Sequence, residues 1–79
     1  MGMSSPKTKA EAKAEIARLQ GRIASQKALM ANYIASNKNV PKDRRGYIES
    51  QIGNMRLRIA DLQQQIANIK AKMSSLLLY

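Results

Sequence analysis

The side chains able to do chemistry in this 79-residue chain are few and widely spread. It contains no His and no Cys. General-base and nucleophile roles would therefore fall to the carboxylates, the lysines and the hydroxyls, and thiol chemistry and the common zinc ligands are absent. The five acidic residues are Glu11, Glu15, Asp43, Glu49 and Asp61. Only Glu11 and Glu15, four residues apart on one helix face, are spaced to share a cation. Two carboxylates near the start of a helix more commonly offset the positive end of its dipole. No glycine-rich phosphate loop is present, because Gly21, Gly46 and Gly53 all fall within helical patterns. The chemistry points to a non-enzymatic protein that uses no metal, no cofactor and no small-molecule substrate.

Charge is the second chemical feature. Fourteen basic residues against five acidic give +9. Such an excess favours an anionic partner, either nucleic acid, an acidic protein surface or anionic lipid. The densest candidate site is Lys38, Lys42, Arg44, Arg45 and Tyr47, where two guanidinium groups could grip phosphates beside a ring available for stacking. A solvated positive surface that only maintains solubility is the competing reading.

These residues sit on elements that the apolar pattern defines. Ile48, Ile52, Met55, Ile59, Leu62, Ile66, Ile69, Met73 and Leu76 alternate spacings of four and three. An unbroken seam of period ~3.5 over about four heptads specifies a long helix packed on another helix. The first half carries a matching column, Ile16, Leu19, Ile23, Gln26, Met30 and Tyr33, softened by one amide that either fixes the register at some cost in stability or lies at a partly wet edge. Aromatics are 4% of the chain, all Tyr, too few for a mixed globular core. The fold class expected is all-α, an antiparallel two-helix hairpin of coiled-coil type.

Each helix carries a second column. In the first it is Ala10, Ala14, Ala17, Gly21, Ala24, Ala28, Ala31 and Ala35, roughly 150° from the large seam at 100° per residue. In the second, Gly46, Gly53, Ala60, Ala67 and Ser74 recur every seven residues. Alanine is the best helix former and needs no packing to explain it. Propensity does not explain why seven of the first helix's eight alanines share one stripe, nor Gly21, which costs about 1 kcal/mol inside a helix. These positions are read as candidate oligomer contacts, together with Leu77 and Leu78, which leave the seam at the apolar end.

Boundaries follow from caps and breakers. Ser5 before Pro6 is one helix entry, and Thr8 with Glu11 three residues on is a capping box and a second. Asn37 through Asp43 holds the internal breakers: Asn tolerates the left-handed conformation that closes a helix, and Pro41 suits the first turn of the next. The layout expected is a disordered N-terminus at about 1–5 and a single hairpin over 6–79, with helices at about 6–38 and 42–77 and a turn at about 38–42. Facing residues then add to about 80. Tyr33 meets Tyr47, and Ile16 lies between Leu62 and Ile66. Arg18 comes near Asp61, Lys27 near Glu49, and Glu11 near Lys70 and Lys72. The two helices come out nearly equal, at about 45–50 Å.

One hairpin buries little apolar surface, so a homodimer or larger assembly is expected, most simply a four-helix bundle. The functional expectation is a small hairpin that self-associates and acts through protein–protein contacts, as adaptors, inhibitors and structural subunits of phages or secretion machines do. The alternative is a basic helical bundle that binds RNA or DNA. In topology alone, the plan resembles the plasmid copy-number regulator Rop, a short helical hairpin that dimerises and contacts RNA. That resemblance implies a dimer and a nucleic-acid partner, and no motif transfers residue by residue. A basic surface lying on anionic lipid is a third, weaker option. No apolar run reaches the length of a membrane span, and Met1 to Pro6 has no signal-peptide core, so an intracellular, cytoplasmic protein is expected.

Overall fold

A computed structural model describes residues 8–77, with the side chains of Leu76 and Leu77 left aside. It is an all-α hairpin of two helices, α1 (Lys9–Ser36) and α2 (Lys42–Leu77), with no strand among the described residues. The expected N-terminal segment at 1–5 and the Ser5–Pro6 entry lie outside the described residues. Thr8 is the N-cap of α1: its backbone is extended and its hydroxyl accepts from the Glu11 N–H at 3.1 Å. That bond satisfies one of the donors that a helix start leaves without an internal partner.

The helices are unequal, 28 residues in α1 and 36 in α2. The near-equal lengths expected from the sequence do not hold, because α2 keeps its expected span of 42–77 while α1 runs only from Lys9 to Ser36. The longer helix, about 54 Å at 1.5 Å per residue, sets the long dimension of the 58 × 24 × 16 Å molecule.

The close of α1 also differs from expectation. No non-glycine residue among those described has a positive φ. Asn37 sits at φ −110° and ψ 22° and closes the helix with both its nitrogens. Its backbone N–H donates to the carbonyls of Tyr33 and Ile34, and its side-chain Nδ2 donates to the Tyr33 carbonyl at 2.7 Å. The amide side chain thus does locally what a left-handed residue does by redirecting the backbone. The Arg44 N–H then donates to the Pro41 carbonyl at 3.0 Å, starting α2.

The large seams face each other. Leu19 from α1 and Leu62, Ile66 and Ile69 from α2 form the core, with Ile16, Ile23 and Met73 packed against it. Ala12 is also fully buried there, although the sequence pattern leaves it out of both columns. It stands four residues before Ile16 and therefore continues the seam by the same repeat. Its single methyl lets the helices approach closely where Ile66 and Ile69 project across. The fully buried side chains all lie in the half of the hairpin remote from the turn. Nearer the turn, Gln26, Met30, Tyr33, Ile48, Ile52 and Met55 are only half-buried. Gln26 and Tyr33 keep polar atoms that favour water, so the same repeat closes less tightly there.

Candidate interaction surfaces

At the turn, Tyr33, Asn37 and Val40 face Asp43, Arg44, Tyr47 and Ile48 across an open recess of about 650 Å³. Antiparallel pairing brings Tyr33 and Tyr47 to the same level, as the hairpin register requires. Of the candidate anion-binding residues, Arg44 and Tyr47 line this recess, whereas Lys38, Lys42 and Arg45 do not. All five are exposed. Arg45 and Lys42, one and two residues from Arg44, lie about 100° and 200° round α2 from it. The turn therefore carries positive charge on two sides. Asp43, on the recess wall, gives that wall mixed sign. Val40 and Ile48 add an apolar floor that the charge pattern alone did not mark. Asn37 could have been placed there from sequence, since it stands four residues after Tyr33 in the same column.

Arg18 takes a local ion pair. Arg18 pairs with Glu15, three residues earlier on its own helix, through Nη2 to Oε1 and through Nε to Oε2 at 3.2 Å. The hydrogen bond from Arg18 is the main reason the Glu15 carboxyl is held below the ordinary glutamate value. The same bond raises the Arg18 guanidinium. Asp61 accepts from Gln65 Nε2 at 2.9 Å, one turn along α2. Among the described residues neither Lys27 nor Glu49 is in an ion pair. Exposed charges on a rod gain only tenths of a kcal/mol from a distant partner, so a neighbour on the same helix, already in place, is preferred.

The small-residue columns are turned outward. Ala10, Ala14, Ala17, Gly21, Ala24, Ala28, Ala31 and Ala35 are all exposed along α1. On α2, Gly46, Ala60 and Ala67 are exposed and Gly53 is half-exposed. A methyl group built on Gly21, Gly46 or Gly53 would meet nothing within 4 Å in the single chain. Leu57, four residues from Gly53 and three from Ala60, stands in the same outer column and is 69% exposed. It is the one large apolar side chain on that face of α2 among the described residues, and the small-residue pattern passed over it. The side chain of Leu77 and all of Leu78, the other candidate contacts, lie outside the described residues. Among those described, no three His, Cys, Asp or Glu side chains gather as metal ligands, and no helix is long and apolar enough to cross a membrane.

No protein-family model, curated protein or solved structure matches this chain.

Proposed function

We propose that this hairpin is a self-associating interaction protein, acting through contacts of its outer helix faces and not through catalysis. The observation that supports this most is the outer face of α1, a run of Ala and Gly exposed from Ala10 to Ala35 after the large seam has already been closed. Small side chains let a second helix backbone approach closely. Solubility alone would be served better by the charged residues found on the flanks. Association would also bury Leu57, which the two-helix contact leaves in water.

The test is the dependence of thermal unfolding on protein concentration. A protein whose folded form is an assembly gains stability by mass action. The melting temperature, followed by circular dichroism, is expected to rise over a hundredfold range of concentration. An unchanged melting temperature over that range contradicts self-association.

A second reading rests on the turn. Arg44, Tyr33 and Tyr47 meet at one recess, where a cation and two rings suit a phosphate and an unpaired base. The two readings respond to salt in opposite directions. Each copy carries +9, so screening strengthens self-association, whereas nucleic-acid binding weakens steeply because it displaces counterions. A mobility shift with single- and double-stranded RNA and DNA at low salt tests the second reading. No shift with any of them removes it.

A further inference from the structure

We infer that copies of this chain associate side by side in the same orientation, the outer face of α2 in one copy seating on the outer face of α1 in the next. This inference rests on the self-association proposed above and adds its geometry. The occupant is a second copy, placed by two matches of height along the rod, Leu57 with Gly21 and Asp61 with Arg18.

Tyr33 and Tyr47 share the recess, and Ile16 packs beside Leu62 and Ile66, so residues whose numbers add to about 80 lie at one height. By that measure Leu57 stands level with Gly21 and Ala24. It projects from the back of α2, roughly 180° from the seam, while Gly21 lies on the back of α1, also roughly 180° from its seam. A copy shifted sideways without tilting or sliding therefore places its bulkiest outward apolar side chain on the neighbour's smallest outward residue. Gly21 has open space where a side chain would stand.

Charge agrees with the same placement. Asp61 and Arg18 also lie at one height, on the same edge of the two outer faces. Within a chain each takes a local partner. Between neighbouring copies they come together. Gln65 engages only one oxygen of the Asp61 carboxylate. The cluster of Glu15, Arg18 and Arg22 keeps a net positive charge toward it.

A two-fold arrangement does not match both features. With α2 on α2 about an axis level with Leu57, that side chain meets its own copy; about an axis level with Met55, Leu57 reaches Gly53 but Asp61 meets the like-charged Glu49. With α1 on α1, Leu57 remains in water. The contact is therefore heterologous, and repeating it builds a row or a closed ring and not a two-fold dimer.

The chain has no cysteine, so disulfide trapping reads the contact directly. Three full-length variants are compared under mild oxidation: Gly21→Cys, Leu57→Cys and the double variant. The two backbones must come within about 7 Å for a bridge to form. The double variant is expected to give a ladder of dimers, trimers and larger species on non-reducing gels. An equimolar mixture of the two single variants is expected to stop at dimers, and each single variant alone to stay monomeric. A dimer from Leu57→Cys alone, or from Gly21→Cys alone, overturns this geometry while leaving self-association standing. No cross-link in any sample, together with a melting temperature of the unmodified chain that ignores concentration, overturns both. As an independent check, Asp61→Arg is expected to weaken assembly at least tenfold without loss of helicity. Unchanged assembly of that variant contradicts the role given to the Asp61–Arg18 contact.

Discussion

Remote from the turn, Ala12 and Leu19 are completely sealed between the helices, and Leu62, Ile66 and Ile69 close over them. At the turn, Tyr33, Asn37 and Ile48 remain half-buried around an open recess. Both regions follow one heptad repeat, so the repeat cannot be what distinguishes them. The difference lies in what fills it. In the remote half Ala12 and Leu19 meet Leu62, Ile66 and Ile69, and the half-buried Ile16, Ile23 and Met73 pack against that cluster with apolar side chains alone. Toward the turn the column includes Gln26, Tyr33 and Asn37, each with a polar end that must reach water or a backbone group. Stability accordingly belongs to the remote half, and accessible chemistry to the turn.

Substitutions can break that contrast, and the largest effect falls at Leu19. Leu19→Ala removes a side chain with no solvent exposure and is expected to cost about 2–5 kcal/mol. Met30→Ala, at a half-buried site nearer the turn, is expected to cost ~1 kcal/mol. Thermal melts at matched concentration compare the two directly, and equal losses would erase the distinction.

Ala12 probes the close approach from the other side. Ala12→Leu adds volume where there is none to spare and is expected to destabilise by about 1–3 kcal/mol. If the helices were not drawn together there, the added apolar surface would stabilise instead. A smaller effect is expected at the turn, where Asn37→Ala loses the bond to the Tyr33 carbonyl, worth ~1 kcal/mol. Amide exchange should then speed up in the last turn of α1 while that of Leu62 and Ile66 is unchanged.

The smallest effect concerns pH. The Glu15 carboxyl is held below the ordinary glutamate value of 4.5 by its hydrogen bond to Arg18. A group whose folded value is depressed contributes stability that is fully present above 4.5 and disappears as pH falls through the depressed value. The gap between the chain and its Glu15→Gln variant is expected to narrow only in that acidic window. A gap independent of pH would mean that the ion pair does not stabilise α1.

Much of the fold was legible in the sequence because the α2 seam repeats without a polar interruption. Ile59, Leu62, Ile66 and Ile69 are buried where that repeat places them. Ala12 was not legible, since an alanine outside the small-residue stripe carries no hydrophobic signal of its own and only the repeat locates it. The local partner of Arg18 was not legible for a different reason. Register compares heights across the hairpin, whereas Glu15, three residues earlier on the same helix, is already in place. At Asn37 the residue type implied a left-handed cap, and the side chain supplied the bond instead. The recess was half legible: Tyr33, Arg44 and Tyr47 are marked by ring and charge, while Val40 and Ile48 enter only through the geometry of the turn.

The outward placement of the small-residue faces carries the functional account, and sedimentation equilibrium tests it most directly. At micromolar concentration and moderate salt, the account predicts a helical species with a mass that is a multiple of the 8.8 kDa chain and rises with concentration. A single species of 8.8 kDa that retains full helicity across that range would contradict it.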